Sequence, residues 1–103
     1  MQVEAGEGGC EMKPIRYSDH ARLQMVLRGA TEEEVAMAIR AGKWKAGKLG
    51  KSRSKYQFDL NRVSLTNQKY YKFKTVEPIF ADETNELVVI TVKVYYSNEE
   101  VKP

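Results

Sequence analysis

The apolar residues of this chain change their spacing once. Before Gly42 they recur three and four residues apart, and after Lys43 they recur at every second residue. A helix face repeats every 3.6 residues and a strand face every two, so helices precede strands. That order predicts an α+β fold, with two N-terminal helices packed on one face of an antiparallel sheet of about four strands. A length of 103 residues holds one domain. It is expected over 15–97, between a disordered tail, 1–14, and a frayed tail, 98–103.

Both helices carry start and stop signals. Ser18 stands as an N-cap with Asp19 in the first turn, and Gly29 follows Arg28 as a stop. Leu23, Val26, Leu27 and Ala30 fall on one face, which reads as the buried one. Thr31 and Glu34 have capping-box spacing, Val35, Ala38 and Ile39 form the next stripe, and Gly42 ends it. Ile15 to Tyr17 reads as a short edge strand or a lead-in.

The later segment reads as strands. Lys43 to Tyr56 is a loop or loose hairpin. Tyr56, Phe58 and Leu60 alternate with polar residues, Val63 and Leu65 continue past a bend, and 66–68 is a turn. Pro78 places the following strand at an edge, at a bulge or at its end. Val88, Ile90, Val92, Val94 and Tyr96 share one face of a strand over 86–97, expected to be central with antiparallel neighbours. Leu27, Ile39, Phe58, Ile90 and Val92 are the expected core.

Charge is distributed unevenly. Residues 40–74 hold eleven basic side chains and one acidic one, Asp59, a balance of +10. The flanks are acidic, −3 over 1–39 and −4 over 75–103. A concentrated cationic segment points to RNA or another polyanion as partner. One cysteine, Cys10, excludes an internal disulfide, and one histidine with it excludes the common zinc sites. No phosphate-binding glycine loop or nucleophile elbow is present, and no cofactor is expected. No apolar run is long enough to span a membrane, and no secretory leader is read at residues 1–9, so the cytoplasm is the expected compartment. A core this small leaves room for a partner chain or a dimer.

Lys43, Lys45, Lys48, Lys51, Arg53 and Lys55 interleave with Trp44 and Tyr56, and with Arg62 and Lys72 they are the candidate nucleic-acid contacts. The alternative is a solvated hairpin with Trp44 in the core. Tyr70, Lys72, Lys74, Lys93 and Tyr95 would share an outward sheet face, which suits RNA and equally suits plain solvent. His20, the single histidine, is a candidate acid or base for attack of an RNA 2′-hydroxyl, with Arg28 and Lys74 steadying the phosphate. The structural alternatives are a packed helix-start histidine and an arginine at a negative helix terminus.

The pattern Tyr17-Ser18-x-His20-Ala21, then Arg28-Gly29-Ala30-Thr31-x-x-Glu34-Val35, with Val89-Ile90-Thr91-Val92 in the last strand, resembles a family of small bacterial and archaeal domains of unknown function. That family is distantly similar to the RelE, ParE and BrnT toxins. The chain departs from the pattern at Gln24-Met25, where an arginine is usual, and at Lys93, where an aromatic is usual. The resemblance implies a RelE-like fold, metal-free RNA cleavage and an antitoxin-like protein partner. The leading expectation is thus a small basic toxin-type domain that acts on or binds RNA; if it cleaves, the expected route is metal-free transphosphorylation. The alternative is a non-catalytic module that binds nucleic acid or protein.

Overall fold

A computed structural model describes residues 13–64 and 67–99. The disordered tail expected over 1–14 falls outside the described residues as far as residue 12, and so do Cys10, Leu65, Thr66 and residues 100–103. The elements are β1 (Ile15–Tyr17), α1 (Asp19–Arg28), α2 (Glu32–Ala41), β2 (Lys45–Ala46), β3 (Ser52–Arg53), β4 (Tyr56–Val63), β5 (Tyr70–Asp82) and β6 (Leu87–Ser97). The fold is α+β.

The sheet has six strands and is mixed rather than antiparallel and four-stranded. Ile15 to Tyr17 is a true strand, and it runs parallel to Leu87 to Val89 at the edge of β6. The loop expected between Trp44 and Tyr56 folds as a hairpin that adds two very short strands. The central strand is β5, not β6. It pairs with β6 on one side and with β3 and β4 in succession on the other.

Pro78 lies inside β5, opposite Val92, and is buried. The strand neither ends there nor runs along an edge. The Ser54 N–H donates to the Pro78 carbonyl at 3.4 Å, in the gap where the chain leaves β3 for β4. A residue in a strand points its N and its O to the same side, so the missing donor of Pro78 falls at that gap and costs no ladder bond.

The register of β5 and β6 slips beside it. Ile79 pairs with Thr91 and Phe80 with Val89, leaving Ile90 as an extra residue. A bulge of this kind reverses which parity faces the core. Leu87 and Val89 are buried before it and Val92 after it, while Val88 and Ile90 are only half-buried. The uninterrupted alternation expected from Val88 to Tyr96 is therefore two alternations out of phase.

Ser18 fixes the start of α1. Its Oγ accepts from the Ala21 N–H at 3.0 Å and donates to the Ile90 carbonyl at 3.1 Å. This roll brings Ala21 and Met25 against the sheet, and Leu23, Val26 and Leu27 are exposed, contrary to the stripe read from spacing. Gly29 ends the helix at φ 81°, a left-handed position that glycine alone takes without a Cβ penalty. In α2 the capping box between Thr31 and Glu34 is complete, and Val35, Ala38 and Ile39 are buried. Gly42 follows at an ordinary φ of −78°. Its requirement is space, since a Cβ would stand 2.5 Å from the Ala38 carbonyl oxygen and 2.7 Å from that of Lys55.

The core between helices and sheet centres on Val35, Ile39, Val76, Phe80, Val89 and Val92. Phe58 packs against it and is half-buried. Among the described residues no helix is long and apolar enough to cross a membrane.

Candidate nucleic-acid interface

The hairpin of β2 and β3 carries the first cationic site. Lys45 lies directly opposite Arg53. Like charges facing across a strand pair destabilise it, so this register is not chosen for stability. Lys43, Lys45, Arg53 and Lys55 line a hollow of about 80 Å³ with Ser54 and Glu77. None of these four cations forms an ion pair among the described residues. Glu77 is the single carboxylate there, and it accepts a hydrogen bond from the Tyr95 hydroxyl at 3.4 Å.

The base of the hairpin is tied to the core. The buried Ser54 hydroxyl donates to the Ala38 carbonyl. Trp44 donates from Nε1 to the Ile39 carbonyl at 2.7 Å and meets Phe80 edge-on at 4.8 Å between centroids. Half of that indole still faces solvent, so Trp44 anchors the hairpin and borders its charges at once.

The basic run is not a single patch. Lys48 is exposed at the tip beside Leu49, which takes a left-handed φ of 58°. Lys51 lines a different and wider hollow of about 610 Å³, with Arg16, Glu83 and Glu86. Lys72 is exposed on β5 and lines none of these hollows.

A second cationic site lies between the C-terminal end of α1 and the irregular part of β4. The register of β4 shifts between Asp59 and Arg62, with Asn61 at φ 53°. Past the shift, Arg62 lines a cleft of about 240 Å³ with Arg28, Gly29, Ser64, Lys74 and Tyr96. Two of the three residues proposed for phosphate chemistry from sequence, Arg28 and Lys74, thus share one cleft. His20 does not line it. It is exposed in the first turn of α1, eight residues before Arg28, or about 12 Å along the axis.

Lys74 is not a free cation. It is buried, and its Nζ donates to the Glu34 carboxylate at 2.8 Å and to the Gly29 carbonyl at 2.7 Å. It faces the helices, so the outward face expected to display Lys72, Lys74, Lys93 and Tyr95 together does not form. Thr75, opposite Tyr95, and Glu77, opposite Lys93, occupy the other face. Tyr96, which spacing did not single out, donates from its hydroxyl to the Arg28 carbonyl at 2.7 Å. Burial, then the charge of Glu34, pushes the Tyr96 phenol above its ordinary range against the opposing pull of Arg62. Tyr96 lies on the helix side with Val92, as the alternation of that strand places it, but no motif marks it as a site residue.

Comparison of this chain with protein-family models, with curated proteins and with solved structures finds no match.

Proposed function

We propose that this protein is an RNA-binding module that holds the phosphate backbone with the β2–β3 hairpin. The observation that carries the reading is the cross-strand pair of Lys45 and Arg53, flanked by Lys43 and Lys55 around one hollow with no ion pair among them. Four cations on and beside a braced hairpin, without an ion pair among the described residues, suit phosphates, and the exposed half of Trp44 beside them suits a base. The test is binding of a single-stranded RNA across a salt series. Each phosphate neutralised contributes about 0.7 to the slope of log K against log salt, so replacing all four by alanine should lower the slope by about 3. An unchanged slope would refute the hairpin as the contact.

The resemblance to toxin-type domains supports a second reading, metal-free RNA cleavage. One observation favours it: Arg28 and Lys74 share the cleft with Arg62. Here the 2′-oxygen attacks phosphorus, the bond to the 5′-oxygen breaks and that oxygen leaves as a hydroxyl. Arg28 and Arg62 steady the phosphate, since Lys74 is held by Glu34, and His20 serves as proton carrier only to an RNA that runs along α1 from the cleft to its first turn. Products should end in a 2′,3′-cyclic or 3′-phosphate. His20→Ala should lower the rate by ~10²–10⁴. Equal rates at equal folded concentration would remove His20 from the mechanism.

A further inference from the structure

Helix α1 is apolar on two sides. Ala21 and Met25 fill the side against the sheet. Leu23, Val26 and Leu27 stand in solvent, 55, 80 and 63 % exposed. At 3.6 residues per turn, Leu23 points about 180° away from the midpoint of Ala21 and Met25. Among the described residues, this i, i+3, i+4 apolar set on the outer face of the helix stays more than half exposed.

The stripe runs into the cleft. Val26 and Leu27 line it together with Leu60 and Val63 of β4, and Val63 is itself half exposed. Beside these apolar walls stand Arg28 and Arg62. Neither guanidinium has a hydrogen bond or an ion pair among the described residues. Among the described residues no carboxylate lines the cleft, and Glu34, the partner of its Lys74, is engaged by that ammonium.

We propose that this groove receives an acidic amphipathic segment of a partner protein. Its apolar residues would cover Leu23, Val26 and Leu27, and its carboxylates would meet Arg28 and Arg62, the helix-in-groove mode of peptide recognition. Charge complementarity together with the apolar stripe selects this occupant over a nucleic acid. A nucleic acid would satisfy the arginines and leave the apolar stripe in water. A second copy of this chain, set on the same stripe about a two-fold axis, is the competing occupant that the test detects as self-association. The proposal is independent of RNA binding at the hairpin.

The test is selection of a displayed library of random peptides, each long enough for three helical turns, on the full-length protein. Enriched peptides should carry apolar residues at helical spacing and an excess of Asp and Glu. Titration of the isotope-labelled protein with the leading peptide should move the amide signals of residues 23–29 and 60–64. Leu27→Asp should weaken binding at least tenfold, as at a buried hot spot. The variant with Arg28→Glu and Arg62→Glu should reject that peptide and bind its lysine-substituted counterpart, which needs a folded protein and so separates charge from stability. Enrichment of basic or uncharged peptides, signals that move elsewhere, or Leu27→Asp without effect would each overturn the proposal. So would self-association of the free protein that Leu27→Asp abolishes.

Discussion

Lys74→Met tests whether the buried cation of β5 is a structural tie. Methionine keeps most of the stem and removes only the ammonium. Two bonds are lost, one to Glu34 at 2.8 Å and one to the Gly29 carbonyl at 2.7 Å. Breaking a buried ion pair from one side costs about 3–5 kcal/mol where the other charge is stranded. Glu34 is not fully stranded: its side chain is 23 % exposed and its Oε1 still accepts from the Thr31 N–H at 3.0 Å. The expected loss is therefore lower, about 2–3 kcal/mol. For a domain of this size, each kcal/mol corresponds to a fall in Tm of about 4–8 °C. Urea denaturation of wild type, Lys74→Met, Glu34→Gln and the double variant gives the coupling directly. It should be about 1–3 kcal/mol, with the double variant well short of the sum of the singles. A loss below about 0.5 kcal/mol for Lys74→Met, the range of an unconstrained surface residue, would refute the tie and return Lys74 to the pool of available cations.

Gly42→Ala should destabilise by about 1–3 kcal/mol although its φ is ordinary, because the new methyl meets two backbone oxygens, one in α2 and one in the link between β3 and β4; thermal unfolding of the variant checks this. Tyr17, Tyr95 and Tyr96 are each pushed above their ordinary value of 10.0, in each case first by burial. The folded state then holds protons that the unfolded state releases, so their contribution is complete below pH 10 and is lost as pH rises through the raised folded values. Unfolding followed at increasing alkaline pH should show a progressive fall in stability, and a flat profile would contradict the shifts.

Helix caps and turns were legible because each is a local bargain between a side chain and nearby backbone. Ser18, Gly29, and Thr31 with Glu34 all act where spacing put them. Burial was legible only where one face is apolar. In α2 it is, and Val35, Ala38 and Ile39 are buried. In α1 both faces are apolar, so spacing did not determine the roll, and contacts of Ser18 with a strand some seventy residues away decided it. Strand parity failed at Ile90 for a similar reason. A bulge is a property of two strands in register, here placed next to a proline on the partner, and nothing in the alternation of β6 announces it. The cleft inherits a failure of the same kind, since Arg62 reaches it past the irregularity in β4.

Two sites rich in basic residues now differ in a way that charge counting along the chain does not separate. In the cleft Lys74 is neutralised and contributes to the fold, whereas on the hairpin Lys45 and Arg53 face each other and work against it. Like charges directly opposite cost a strand pair of the order of 0.2–1 kcal/mol. Two strands of two residues each have little ladder energy to offset that cost, and the tie from Ser54 to Ala38 and the Trp44 anchor hold the hairpin instead. Arg53→Thr removes the repulsion and places a good strand former opposite Lys45. It should leave the free protein as stable as wild type or more stable by up to about 0.5 kcal/mol, and weaken RNA binding with a salt slope smaller by about 0.7. Opposite signs from one substitution are the signature of a residue kept for a partner and not for the fold. A variant that loses stability and leaves RNA affinity unchanged would mean that the guanidinium serves the hairpin, and the hollow between Lys43 and Lys55 would then have no claim on phosphate.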